Sequence, residues 1–404
     1  MTSFSAGQLS LAIDAQSLTL ESPAGSWLGV TATVVTSDAR GVVAGLEVIS
    51  QEDSEEGLEV RLTGSCDYGQ LRLRIGVSAV EPVAIVWLDL LTNRSLDLHS
   101  VTLTGVVSGQ FDRFWKQGWQ SWSPAYVAPL AGADESLPDR VLRGFGDFTE
   151  GLTSFDVGLL AGSQGALCAG FLTADRFPGS LNVLDGSLAC SWLAASAAVE
   201  QDELLSFEPL RIELSSDPQR ALERYAAAVA EVASTDLPEA VPSGWCSWYY
   251  YYTAVTEADV LANLRFLAGH RRELPIQFVQ LDDGYQADIG DWIDWNEKFP
   301  GGPRRLTEEI HKAGLKAGIW LAPFLAGEDS KLATQHPDWL VRDSAGTPVV
   351  AVTNWDQANY ALDLTHPAVR EWLRDLFIEI FDDWNFDYVK IDFVFAGALP
   401  GRRH

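Results

Sequence analysis

The spacing of apolar positions changes once along the chain. From residue 1 to about 215, apolar and polar residues alternate in short runs: Leu9 to Leu20, Trp27 to Thr36, Val42 to Ser50, Leu58 to Thr63, Gln70 to Val77, Val83 to Leu91 and Leu96 to Val107. Turn formers such as Ser22-Pro23-Ala24-Gly25 and Ser37-Asp38 separate them. Side chains alternate faces along a strand, so this pattern predicts strands with one face on a core, and many short strands predict a large β-sandwich. A second β block runs from Phe155 to Leu214, with Ala166 to Thr173 and Ser187 to Leu193 as its clearest strands. A helix follows, capped by Asp217 and started by Pro218, with Ala221, Tyr225, Ala228 and Val232 on one face. The Pro-containing stretch Ser234 to Ser243 predicts a linker, dividing the chain into a β domain at 1–238 and a second domain at 239–404.

Beyond the linker, strand and helix patterns alternate. Strands are predicted at Gly244 to Tyr250, Ile276 to Gly284, Lys316 to Pro323 and Phe386 to Phe393. Between them lie helices carrying Val260, Leu264 and Leu267 after a Thr256 cap, Leu306, Ile310 and Ala313 before Gly314, and Val369, Trp372, Leu373, Leu376 and Ile380. This rhythm predicts a parallel sheet, open or closed into a barrel, with chemistry at the carboxyl ends of the strands in either case.

Polar residues collect at those ends. In Phe-Asp-Tyr-Val-Lys-Ile-Asp-Phe, strand parity puts Lys390 and Asp392 on one face and Val389, Ile391 and Phe393 on the other, against helices. An ammonium beside a carboxylate keeps it ionised, as a covalent glycosidase nucleophile requires, although a salt bridge at a strand end uses the same pair. The second strand ends Gln280-Leu281-Asp282-Asp283-Gly284-Tyr285: Asp282 shares the inward face with Gln280, and Asp283 starts the loop, where an Asx turn is the alternative. Trp320 points inward between Gly318 and Ala322, as pocket floor or as core. Trp248 is followed by four consecutive tyrosines, too many to be all core, and Gly118-Trp119-Gln120-Ser121-Trp122 is dense in tryptophan for a sandwich loop.

Composition narrows the ligand class. Of 404 residues, 56 are acidic and 28 basic, a net charge of −28 that would repel nucleic acid and anionic membrane surfaces and favours a neutral partner. Fifteen tryptophans suit sugar rings but also fill cores. The cysteines at 66, 168, 190 and 246 form no C-x-x-C pair and fit free thiols. With no apolar leader at residues 1–10 and no membrane-length apolar run, a cytoplasmic location is expected. Six histidines make no metal motif, no Gly-x-Ser-x-Gly elbow occurs, and Gly144-Phe145-Gly146 lacks a third glycine at 149, so neither a metal, a serine nucleophile nor a dinucleotide cofactor is supported.

Four motifs in order, Gly-Trp-Cys-Ser-Trp-Tyr, Gln-Leu-Asp-Asp-Gly-Tyr-Gln-x-x-Ile-Gly-Asp-Trp, Gly-Ile-Trp-Leu-Ala-Pro-Phe and Tyr-Val-Lys-Ile-Asp-Phe, resemble the α-galactosidases of glycoside hydrolase family 36. The resemblance is sharp over 244–393 and loose over the β region. It implies an N-terminal β-supersandwich followed by a (β/α)8 TIM barrel, and retaining hydrolysis of α-galactoside oligosaccharides through a galactosyl-enzyme intermediate without metal or cofactor. It further implies that Asp392 is the nucleophile, that Lys390 binds the sugar beside it, that Asp282 and Asp283 hold galactose hydroxyls, that Trp248 and Trp320 wall the pocket, and that Trp122 reaches in from the β domain. Family members often assemble as homo-oligomers, and the same is expected here. The family takes its acid/base carboxylate from a later strand, beyond residue 404, so the resemblance implies a chain truncated after barrel strand four, with only the first half of the barrel. Three alternatives remain: an α-N-acetylgalactosaminidase, a galactosyl transglycosylase, or a non-catalytic sugar-binding chain.

Overall fold

The computed structural model describes the chain except residues 1, 38, 121, 132–147, 149 and 235–240. Ser121 of the tryptophan-rich motif, the Gly144-Phe145-Gly146 stretch and most of the predicted linker lie outside the described residues. The chain divides into two compact units, Met1–Asp236 and Leu237–His404.

The first unit is built from two large antiparallel sheets of nine and ten described strands. Alternation along the sequence becomes alternation of burial: in Gly69–Ser78, Leu71, Leu73, Ile75 and Val77 are buried while Arg72 is exposed. Their inner faces share one continuous core containing Trp27, Trp192 and Phe114. The helix Pro218–Ala233 begins as its sequence requires, with the Asp217 carboxylate accepting from the Arg220 N–H at 3.1 Å. Its predicted inner face holds only at the start. Ala221 is fully buried and the Tyr225 hydroxyl donates to the Phe171 carbonyl at 2.6 Å, but Val232 is exposed and is not among the residues packed on the Ala221 cluster.

One charged cluster is sealed in this unit. Glu213 has no exposed surface and accepts from Arg211 at 2.7 Å and from Arg224. Removing one member of a buried charge network leaves its partners unpaired in a poorly solvating interior. Glu213→Gln is therefore expected to destabilise this unit by about 3 kcal/mol, seen as a lower denaturant midpoint at unchanged m-value.

The second unit contains a four-stranded parallel sheet with strands in sequence order: β1 (Gly244–Cys246), β2 (Phe278–Leu281), β3 (Lys316–Leu321) and β4 (Tyr388–Ile391). This is the arrangement of the first four strands of a (β/α)8 barrel. The connecting helices are α1 (Glu257–Gly269), α2 (Gly302–Lys312) and α3 (Pro367–Ile378). Thr256 and Asp259 form a reciprocal capping box on α1, whose Val260, Leu264 and Leu267 are buried. Past the end of α2, Gly314 adopts φ +73°, the left-handed conformation in which a Cβ would be strained. Gly318 in β3 answers a different need: an added Cβ would lie 2.2 Å from the Tyr388 ring of β4.

Two sequence expectations need correction. The first strand stops at Cys246, and Trp248–Tyr251 is a helical turn. The fully buried Ser247 hydroxyl accepts from the Asp282 N–H at 2.9 Å and turns the chain there, leaving Tyr249, Tyr250 and Tyr252 exposed. At the other end, Ile391 is 43% exposed because β4 is an edge of the sheet. Phe393 leaves the expected apolar row: at φ +53° the chain is no longer extended, so strand parity ends before it.

Candidate active site

The carboxyl ends of β2, β3 and β4 bring three carboxylates and their donors together. Asp282 and Asp283 follow β2 and are almost fully buried, at 1% and 2% exposure. A buried carboxylate needs hydrogen bonds, and both have them. Asp282 Oδ2 accepts from the Lys390 ammonium at 3.0 Å, from Gln280 Nε2 and from the Cys246 thiol at 3.4 Å, while Oδ1 accepts from the Asp283 N–H at 3.0 Å. Asp283 Oδ1 accepts from Gln286 Nε2 at 2.7 Å, and Oδ2 accepts from Trp355 Nε1, also at 2.7 Å.

Asp392 stands one residue beyond β4. Its N–H donates to the Leu321 carbonyl at 2.8 Å, extending the parallel ladder, and its side chain is half-buried. Oδ2 accepts from Trp320 Nε1 at 3.0 Å and Oδ1 from the Phe393 N–H at 2.9 Å. Trp320 is itself fixed, 2% exposed, with the Trp292 ring edge-on at 5.7 Å and its carbonyl accepting from the buried Tyr285 hydroxyl at 3.1 Å. Trp320 therefore orients a carboxylate.

Lys390 departs from the sequence expectation in its partner. Its ion pair is with Asp282 across the sheet, and Asp392 acts on it only as a smaller, more distant charge. Burial lowers the lysine's pKa, but the bond and charge of Asp282 outweigh it and hold the ammonium above its ordinary value. Burial raises Asp283 above the usual aspartate value, against the lowering effect of the Gln286 and Trp355 donors. Burial also pushes the Cys246 thiol up to about 11, with Asp282's charge adding to it, so the thiol is a neutral donor at this site.

The remaining two predicted residues lie one in each unit. Trp248 is half-buried, its ring edge-on to Tyr252 at 5.3 Å, and among the described residues no hydrogen bond joins it to the three carboxylates. Trp122 belongs to the first unit and is 56% exposed, its N–H donating to Gln120 Oε1 at 3.0 Å. The aspartate of the Ile-Gly-Asp-Trp motif is structural: Asp291 accepts from the Lys331 and Leu332 N–H groups at 3.0 and 3.2 Å, at the start of the short helix Lys331–Gln335.

Sequence reasoning missed Trp355. It sits at the tip of a β-hairpin, Val350–Asn354 and Gln357–Ala361, whose two-residue turn has Trp355 at φ +54° and Asp356 at φ +59°. Two consecutive positive φ angles are what Asn-Gly supplies cheaply. The available signal was Asn354-Trp355-Asp356-Gln357 between alternating Val350, Val352 and Ala358, Tyr360. Among the described residues, no group of three or more His, Cys, Asp or Glu is placed to hold a metal, and no described helix is long and apolar enough to cross a membrane.

The family model for melibiase matches residues 243–395, the segment that builds this cluster. Over 155 residues the chain is 32% identical to alpha-galactosidase 1 of Pediococcus pentosaceus, covering 35% of this chain and 20% of that protein. Over 129 residues it is 36% identical to the A type blood alpha-D-galactosamine galactosaminidase of Flavonifractor plautii, covering 30% of this chain and 12% of that one. The matched stretch thus spans about a fifth or less of these relatives' length. Among solved structures, the alpha-galactosidase TtGalA from Thermus thermophilus, in complex with stachyose, superposes with a TM-score of 0.62 at 30% identity, over 85% of this chain and 68% of that one. That likeness extends through both units, and with the three carboxylates assembled on strands in the same order as the four motifs, the chain belongs to the melibiase family of glycoside hydrolase family 36.

Proposed function

We propose that the protein acts as a retaining α-galactosidase, releasing terminal α-D-galactosyl residues from galacto-oligosaccharides of the kind held by the Thermus relative. The observation that carries this reading is Asp392: a carboxylate just past the end of a barrel strand, with one oxygen held by Trp320 and the other by a backbone N–H. In the proposed reaction Asp392 attacks the anomeric carbon, the bond to the leaving oxygen breaks as a carboxylic acid protonates that oxygen, and water then displaces Asp392 from the glycosyl ester. Neither Asp282 nor Asp283 suits the acid role, since both oxygens of each already accept hydrogen bonds from donors. The reaction requires a fourth carboxylate as its acid, at roughly 5 Å from Asp392 for retention.

Asp282 and Asp283 take the binding role. A carboxylate has about four acceptor positions. Asp282 Oδ1 and both oxygens of Asp283 each carry one donor, leaving acceptor positions for vicinal sugar hydroxyls. The expected result is hydrolysis of p-nitrophenyl α-D-galactopyranoside with α-galactose as the first-formed anomer, followed by NMR. First-formed β-galactose would rule out retention. The relative from Flavonifractor plautii favours a second reading, an α-N-acetylgalactosaminidase. Comparing kcat/KM for the aryl α-galactoside and the aryl α-N-acetylgalactosaminide separates the two.

A further inference from the structure

Trp355 occupies a position that a bulky residue enters only at a cost in backbone strain, and the surrounding structure fixes it there. The fully buried Asn359 side chain donates to the carbonyls of Val352, Asn354 and Gln357, at 3.3, 3.1 and 3.3 Å, gathering both arms of the hairpin. Asn354 Oδ1 accepts from the Trp355 N–H at 2.9 Å, and Gln357 Nε2 donates to Asp288 Oδ1 at 2.6 Å, tying the hairpin to the loop that follows Asp283. Left-handed residues other than glycine persist where their surroundings over-determine them, often at functional sites. Here the result is an indole 5.2 Å from the Phe393 ring and 6.3 Å from the Trp320 ring, with its N–H on Asp283. Trp320 and the Phe393 N–H are the two donors that hold Asp392. One side chain therefore joins the surroundings of the sugar-binding carboxylate to those of the nucleophile.

We propose that Trp355 is a positioning residue of the galactoside site, its indole N–H holding the Asp283 carboxylate turned toward the hydroxyls of the bound sugar. This rests on the α-galactosidase reading above. A donor to the ionised form also favours ionisation, so loss of the N–H raises the pH at which Asp283 gives up its proton. The charged and titratable groups acting with Asp283 are Asp282, which opposes its ionisation, Lys298, which favours it, and the buried Tyr285 phenol. Only ionised Asp283 accepts hydrogen bonds from the sugar on both oxygens, so affinity falls as pH drops through its pKa, and a higher pKa moves that fall to higher pH.

Trp355→Phe keeps the ring and removes the N–H. With p-nitrophenyl α-D-galactopyranoside as substrate and free galactose as inhibitor, KM and the galactose inhibition constant are expected to rise about tenfold, the worth of one hydrogen bond to a charged group. kcat falls by a smaller factor, and the acid limb of kcat/KM moves to higher pH. In a double-mutant cycle with Asp283→Asn, the two losses are expected to be strongly non-additive. An unchanged acid limb and inhibition constant in an active Trp355→Phe protein, or additive losses in the cycle, would overturn the inference. Wild-type protein that neither hydrolyses the substrate nor binds galactose would contradict the α-galactosidase reading itself.

Discussion

Asp392→Asn is expected to lower turnover of an aryl α-galactoside by a factor on the order of 10³ or more, while galactose still binds. The change is nearly isosteric. The amide oxygen can still accept from one of the two donors that hold the carboxylate, Trp320 Nε1 at 3.0 Å and the Phe393 N–H at 2.9 Å, so the pocket keeps its shape. What it loses is a nucleophile able to form a glycosyl ester. Steady-state kinetics, with circular dichroism to check folding, measure the loss. The smaller Asp392→Gly variant adds a second signature. Azide can enter the space left by the side chain and attack the same face of the sugar, giving a β-galactosyl azide. Near-wild-type activity in Asp392→Asn would remove Asp392 from the chemistry.

Lys390→Met is expected to destabilise the second unit and to weaken galactose binding together. The ammonium is the counter-ion of Asp282, whose side chain is 2% exposed, and its removal leaves a buried charge supported only by neutral donors. Breaking a buried pair costs about 3–5 kcal/mol, and because the Lys390 side chain is about a third exposed and screened by solvent, about 2–3 kcal/mol is expected here. The pH dependence has a definite sign. A lysine whose folded pKa lies above its ordinary 10.5 contributes stability that is fully present below 10.5 and is lost as pH rises through the folded value. The gap between wild type and Lys390→Met should therefore be constant from neutral pH to about 9 and narrow above 10.5, as followed by urea unfolding at each pH. A gap that narrows between pH 6 and 8 would contradict this account of the pair.

Much of this site can be read from the sequence because strand parity is a strict rule. Alternation placed Trp320, Lys390 and Asp392 on one face, and the structure joins Trp320 to Asp392 and sets Lys390 opposite Trp320 in the β3–β4 register. Parity gives no partner, however. Lys390 and Asp392 lie two residues apart, yet the ammonium reaches across the sheet to Asp282, since pairing between strands is decided by register and side-chain reach. Parity also ends with the strand, so Phe393, at φ +53°, packs against Trp355 instead of following Ile391. The hairpin of Trp355 escaped notice for a related reason. Its turn carries Trp-Asp where a glycine would mark it, and the long-range bond from Trp355 to Asp283 that makes it matter leaves no local trace. The first unit was easier to read, because long alternating strands state which face is buried, and the core of Trp27, Leu71, Ile75 and Trp192 follows that statement.

The central claim is that Asp392 becomes covalently attached to the sugar. The most direct measurement is to trap that species with a slowly turned-over fluorinated α-galactosyl substrate, digest the protein and map the modified peptide by mass spectrometry. The account predicts a single fluorogalactosyl adduct on the peptide containing Tyr388 to Phe393, with Asp392 as the modified residue. Steady turnover with an unmodified Asp392, or an adduct on any other carboxylate, would contradict it.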